Sequence, residues 1–397
     1  MAEEAAQKPG STRALVALLA FVLGFATVPH RVMERDASRW FEGDPAKTDL
    51  LAAGLARWTS APEELAPATF ATGSSRFDGE WLFATFMMSA MGFGQVAWER
   101  SGQARDESIA RMETCLDAML EPRVRVFEDK AWGNDALASV DAAPGSPEDR
   151  GHVAYLGYSG LALSLHRMLR PSSRFVDREE AIARALERRI EASPTGFVET
   201  YPGEVYPVDN TAALAALALH ARATGGAPSP ALRRGLAAVQ RSAVDPATGL
   251  LFQAVTVADA APRDAARASG TALAAYFLSF ADEPTSRSLF HALEKSQFRT
   301  VLGFGGMMEY PPGKRGGRGD VDSGPVFLGF GVSASGFALG ASRVHGDRET
   351  FTALYATAQL FGAPLDEDGT LTYATGGPIG DAILFAMLTA PRAGRLT

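Results

Sequence analysis

The chain has 397 residues, 46% hydrophobic and 21% charged, with a formal net charge of −8. That length can bury one large core or two ordinary ones. The acidic balance and scattered Lys and Arg argue against a nucleic-acid surface. The single cysteine, Cys115, leaves no intrachain disulfide and no cysteine pair for metal or redox work.

The first distinctive element is the uncharged run ALVALLAFVLGFATV at 14–28, preceded by Lys8 and Arg13. It is shorter than the roughly 20 residues of a full membrane span. A signal-peptide core is the alternative, with a weak small-residue site near Gly24–Ala26. The reading favoured here is an uncleaved N-terminal membrane helix with the body outside the cytoplasm. Residues 1–28 then form an anchor or signal segment, 29–45 a linker, and 46–397 one catalytic domain.

Within that domain two kinds of helix alternate. Segments starting at Glu80, Gly157, Asp209, Gly270, Gly331 and Gly380 are rich in Ala, Gly and Ser and apolar nearly all round. A helix of that kind must be buried on every side. Between them lie helices with one charged face, at 46–58, 106–120, 177–192, 229–244, 284–296 and 347–361. Cys115, in RMETCLDAML, falls on an apolar face and reads as core packing. Six inner and six outer helices in alternation predict an all-α fold, an (α/α)6 toroid.

The links sharpen this picture. Inner-to-outer connections are short, such as ADEP and VHG, whereas outer-to-inner connections are long. Long loops in a compact domain usually carry function. All of them open on the mouth where the inner helices begin, and helix N-termini there favour ionised carboxylates. Short β-hairpins at that rim are expected from 249–257 and 300–310.

Candidate residues follow from the loops. In ETYPGEVYPVDN (199–210) the prolines hold Tyr201 and Tyr206 extended. Asp209 or Asn210 can cap the third inner helix. Glu199 and Asp209, two carboxylates in a partly dry pocket, can separate into an acid and a base. RGDVDSGPVF (318–327) places Asp320 and Asp322 on one side of an extended segment, with capping as the plain alternative for Asp322. Its spacing is not that of an EF-hand, and the glycine-rich basic loop before it, a potential lid, is not a P-loop. Glu309 and Tyr310 add a polar–aromatic pair. DRGHVAYLGYSG (149–160) supplies His152, Tyr155 and Tyr158. The six histidines are dispersed and no HExxH, CxxC or GxSxG occurs, so no metal site, cofactor or serine triad is expected.

From about Arg150 to Ala281 the chain resembles the linalool dehydratase-isomerase family. The resemblance is carried by YLGYSGLALSLHRML, IEASPTGFVETYPGEVYPVDNTAALAAL, AVDPATGLLFQAV and SGTALAAYF. It implies an (α/α)6 barrel outside the cytoplasm with cofactor-free acid/base chemistry on small terpene alcohols. Tyr158 stands where that family has its histidine, and Glu199 or Thr200 and Asp209 where it has its two cysteines. Asn210 is retained. Linalool itself is therefore not the expected substrate.

The expected activity is hydration, dehydration, isomerisation or elimination on a small hydroxylated molecule. Glu199 and Asp209 form the acid/base pair, Tyr158 relays a proton and Asp322 assists. His152, Tyr155, Tyr201, Tyr206, Asn210, Glu309, Tyr310 and Asp320 line the substrate site. A glycoside hydrolase or other carbohydrate-active (α/α)6 enzyme is the alternative. A membrane-tethered binding protein is the second. The partners are a small molecule and a membrane, with no nucleic acid; a homo-oligomer is compatible with this reading.

Overall fold

The computed structural model describes residues 16–17, 24, 31–313, 319 and 324–392. The run 14–28 thus lies outside the described residues apart from Val16, Ala17 and Gly24. Among the described residues no helix is long and apolar enough to cross a membrane. Where a linker is expected, residues 31–42 form a helix (α1) that buries Ala37, Trp40 and Phe41 against the body.

The outer helices are α2 (Pro45–Thr59), α4 (Gly102–Leu120), α7 (Val176–Ala192), α9 (Pro230–Ala238), α11 (Glu283–Ser296) and α13 (Arg348–Gly362). The inner helices are α3 (Ser75–Glu99), α6 (Val153–Leu169), α8 (Pro207–Ala223), α10 (Ala268–Leu278), α12 (Val332–His345) and α14 (Gly377–Leu388). One further helix, α5 (Pro122–Trp132), follows α4 and packs on α3.

Local chemistry sets the boundaries. Asp44, Ser229, Asp282 and Asp347 cap α2, α9, α11 and α13 by accepting first-turn N–H groups. Proline occupies the first turn of α2, α5, α8, α9, α11 and α14, where its missing N–H costs nothing. On α7, Ile182, Leu186 and Ile190 fall four residues apart and are buried, while the opposite face is charged. On α8 every residue from Asp209 to Leu219 is buried.

The inner helices close a ring: α3 packs on α6, α6 on α8, α8 on α10, α10 on α12, α12 on α14 and α14 back on α3. This is the expected (α/α)6 barrel. Outer helices cover its grooves, α4 on α3 and α6, α7 on α6 and α8, and α2 on α14 and α3. Small residues permit the close approach. A Cβ at Gly92 of α3 would lie 2.3 Å from the Phe385 ring of α14. At the end of the ring remote from the inner-helix N-termini, Tyr276 of α10 donates to Gln95 of α3 at 2.9 Å. The Gln95 amide in turn donates to the Ala386 carbonyl at 2.9 Å. This polar brace satisfies buried groups across the ring.

Three two-stranded antiparallel hairpins lie between outer and inner helices: β1–β2 (Phe298–Val301, Phe304–Met307), β3–β4 (Val326–Phe327, Phe330–Gly331) and β5–β6 (Pro364–Glu367, Thr370–Tyr373). Each turns through two residues with positive φ: Leu302–Gly303, Leu328–Gly329 and Asp368–Gly369. The hairpin expected within 300–310 is β1–β2. Residues 249–257 form isolated bridges instead, for example Val255 with Val205 and Phe252 with Ala266.

Gly92→Ala is expected to lower stability by about 1–3 kcal/mol, because the Phe385 ring is enclosed and cannot retreat. Denaturant titration checks this.

Candidate functional site

The long loops converge where the inner helices begin, and α8 supplies the central carboxylate. Asp209 sits in the first turn of α8, which starts at Pro207. It caps nothing. Its Oδ1 accepts the Tyr158 hydroxyl at 2.9 Å and its Oδ2 the Thr200 hydroxyl at 2.9 Å. Two O–H donors and a helix N-terminus thus converge on its carboxyl group. The Tyr158 ring meets Phe277 of α10 edge-on at 5.2 Å.

Asn210 pins the preceding loop. Its Oδ1 accepts the Val198 N–H at 2.8 Å and its amide donates to the Val198 carbonyl at 3.0 Å. Tyr201 is buried, lies under the Arg76 guanidinium at 4.8 Å, and donates its hydroxyl to Glu80 of α3 at 3.2 Å. Burial raises the Tyr201 phenol well above its ordinary pKa, and the carboxylates of Glu80, Glu128 and Asp209 raise it further. These three carboxyl groups therefore lie within electrostatic reach of one hydroxyl.

Glu128 of α5 is fully buried. Burial, then the negative neighbours Glu80, Asp209 and Asp129, raise its pKa well above the usual carboxylate range. His152 is also fully buried, and burial pushes its imidazole down to about 3. The two form a neutral pair 3.1 Å apart. The protonated Glu128 donates to Nδ1, and Nε2–H donates to the Asn134 side chain at 3.3 Å. Trp132 stacks on the His152 ring at 4.9 Å and donates to the Thr200 carbonyl at 3.3 Å.

His152 also carries backbone strain, with φ 61° directly after Gly151 at 57°. Gly151 is obligatory, because a Cβ there would lie 1.9 Å from the Trp132 ring. Arg189 of α7 holds the pair in place, donating to the Gly151 carbonyl at 3.1 Å, the Ser139 carbonyl at 2.8 Å and Asp149 at 3.1 Å.

The remaining expected residues divide. Glu199 is half-buried and its carboxylate accepts the Gly203 N–H at 2.7 Å, bracing the turn that carries Tyr201. Tyr206 donates to Glu204 at 3.1 Å. Tyr155 points away from the mouth and donates to the Met119 carbonyl at 2.9 Å. Glu309 is fully buried and accepts the Ser269 hydroxyl at 2.6 Å, while Tyr310 stacks under Arg267 at 5.5 Å. Asp320 and Asp322 lie outside the described residues. Glu80 and Glu128 were not among the expected residues. Glu128 alone carried a signal, a charge in line with Val124 and Trp132 on the buried face of α5. Among the described residues no group of His, Cys, Asp and Glu could hold a metal ion.

The six-fold helical barrel is a fold found among glycoside hydrolases of known structure. Two structures of the α-1,6-mannanase GH76A from Salegentibacter sp. HEL1_6 match the fold. One, described as an inactive variant with two aspartates replaced by alanine, is in complex with α-1,6-mannotetrose. It is 11% identical, with a TM-score of 0.53, and the match covers 88% of this chain and 98% of that one. The other is 12% identical with a TM-score of 0.51 over the same shares. No family model matches the chain, and no curated protein does.

These neighbours correct the family expected from sequence. The barrel stands, but the matching structures are α-1,6-mannanases and not linalool dehydratase-isomerases. The lyase and isomerase reading goes with it. At the positions assigned to that family's residues, Tyr158 stands for the histidine and Asp209, held by the Tyr158 and Thr200 hydroxyls, for one of the cysteines.

The Glu128–His152 pair gives a pH test. A carboxyl whose folded pKa is raised binds protons more readily when folded, so it withdraws stability as pH rises above its ordinary value of 4.5. Glu128→Gln keeps a donor for His152 and removes that loss. Its unfolding midpoint should exceed wild type by a margin that widens from about pH 5 to about pH 8. A margin that narrows over this range would indicate an ionised Glu128 paired with imidazolium.

Proposed function

We propose that the chain is a glycoside hydrolase of the (α/α)6 type that cleaves an α-linked glycan at the mouth of the barrel, without a cofactor. One observation carries this reading: Asp209 is held by the hydroxyls of Tyr158 and Thr200 at the start of an inner helix, with Glu80 and Glu128 in its field. The fold shared with α-1,6-mannanases supports it and makes α-mannosides the first substrate class to test.

Glycoside hydrolysis needs one carboxyl to protonate the leaving oxygen and another to activate water or attack the anomeric carbon. Asp209, held by two hydroxyl donors, takes the second role. Glu80 is half-buried and reaches the mouth beside Tyr201, and it takes the first. Glu128 has no exposed surface, so its part is to hold His152 and Trp132 beneath the Thr200 segment. Glu199, expected from sequence as one of the pair, acts in this scheme through the turn bearing Tyr201. Tyr158, expected from sequence to donate or relay a proton, acts in this scheme by hydrogen-bonding Asp209. A glycan substrate fits a site of action outside the cytoplasm, to which the apolar run 14–28 would direct the barrel.

The test is release of reducing ends from α-1,6-mannan and a panel of α- and β-linked oligosaccharides. Asp209→Asn and Glu80→Gln should each lower kcat by about 100-fold or more while the fold persists. Glu199→Gln, which keeps an acceptor for Gly203, should retain most activity. Full activity in Asp209→Asn would remove that residue from the mechanism, and loss of kcat in Glu199→Gln would restore Glu199 to the pair.

A further inference from the structure

Helix α3 is buried along most of its length, and from Leu82 to Ala97 only Ala84 keeps some surface. The hydrogen bond from Tyr276 of α10 to Gln95 crosses the ring and so marks the inward face of α3. Ala84 and Phe77 fall on that face about three and five turns earlier, towards the mouth. Glu80 and Trp81 flank the same line on either side. Glu80 meets the Tyr201 hydroxyl, and Trp81 lies about three turns from Gly92, which faces the Phe385 ring of α14. Phe77, Glu80, Trp81 and Ala84 are all half-buried, so this stripe opens on the mouth. An indole therefore stands directly beside the carboxyl assigned to acid catalysis.

Trp81 has a built support. The Phe70 ring meets it at 6.2 Å with the planes 80° apart, an edge contact. Phe70 is carried by a turn that Asp78 of α3 pins, its Oδ1 accepting the Thr72 N–H at 2.8 Å and the Thr72 hydroxyl at 2.7 Å. Within that turn Ala71 is held at φ 47°, a strained conformation for a residue with a Cβ. Among the described residues the Trp81 indole N–H has no acceptor, and it is left open to solvent. On the other side of Glu80 the exposed Arg76 guanidinium lies over Phe77 at 5.7 Å and over Tyr201 at 4.8 Å.

We infer that Trp81, braced by Phe70, stacks a sugar ring of the bound glycan on the α14 side of Glu80. A pyranose has a flat face of C–H groups and a rim of hydroxyls, which matches an indole face with an unused N–H at its edge. A purely aliphatic ligand would leave that N–H without an acceptor and set the polar groups of Glu80 and Arg76 against hydrocarbon. The substrate is then an oligosaccharide that lies across the mouth, with one ring at the carboxylates and a neighbouring ring on Trp81. This inference rests on the glycosidase reading for its ligand and adds the requirement for a chain of several sugars.

The test uses α-1,6-linked mannobiose, mannotriose and mannotetraose. Wild-type KM should fall as the chain lengthens, because only a longer chain reaches Trp81. In Trp81→Ala the KM for mannotetraose should rise by about tenfold, and most of the fall with chain length should vanish. Trp81→Phe keeps a flat ring and should restore much of that fall. A merely structural role would change turnover of all three chains alike. Binding without turnover is read in Asp209→Asn from the indole N–H resonance of Trp81, assigned by its loss in Trp81→Phe. It should shift far more with mannotetraose than with mannose. Cleavage by wild type, with the same chain-length dependence in Trp81→Ala and an unmoved indole resonance, would overturn the stacking site and leave the glycosidase reading standing. An indole shift without cleavage by wild type would do the reverse. Neither cleavage nor shift would overturn both.

Discussion

A helix that is apolar on every side has to be covered on every side, and six such helices in one chain satisfy this by surrounding one another. The ring from α3 to α14 is that solution, and the outer helices complete the cover. Because inner and outer helices alternate, every inner helix starts at the same end. The short links fall at one face and the long loops at the other. The cross-ring contact of Gln95 with Tyr276 braces the first face, and the long loops gather at the second.

At that end the same functional group meets two environments. Asp209 has two hydroxyl donors and a helix N-terminus at its carboxyl group. Glu128, a loop away, has burial and negative neighbours, and both favour the neutral acid. The difference is set by packing: Trp132 and Gly151 close over His152, and Arg189 holds that closure from α7. Strain at His152 is therefore sustained by a buried guanidinium with several carbonyl partners.

The alternation of helices was legible because composition alone separates Ala- and Gly-rich inner segments from charged outer ones. Helix α5 was hidden, since Pro122 follows α4 directly and the next residues read as a loop. Within it, Glu128 looks like any surface carboxylate until its alignment with Val124 and Trp132 is noticed. Glu80 stood at the head of an inner helix with nothing local to distinguish it. The Asp368–Gly369 turn carried an ordinary hairpin signal, whereas Leu302–Gly303 and Leu328–Gly329 did not. The misassigned family has a physical cause as well. Strings such as YPVDNTAALAAL and SGTALAAYF are what close helix packing and helix starts demand in any such barrel, so they report architecture and say little about chemistry.

The central claim is that Asp209 and Glu80 flank a bound sugar. It is tested most directly by the crystal structure of the Asp209→Asn variant soaked with α-1,6-mannotetraose. The account predicts a sugar ring at the mouth, with residue 209 and Glu80 both within hydrogen-bond distance of the ring or its glycosidic oxygen. An oligosaccharide bound elsewhere, or density at the mouth that reaches neither side chain, would contradict it.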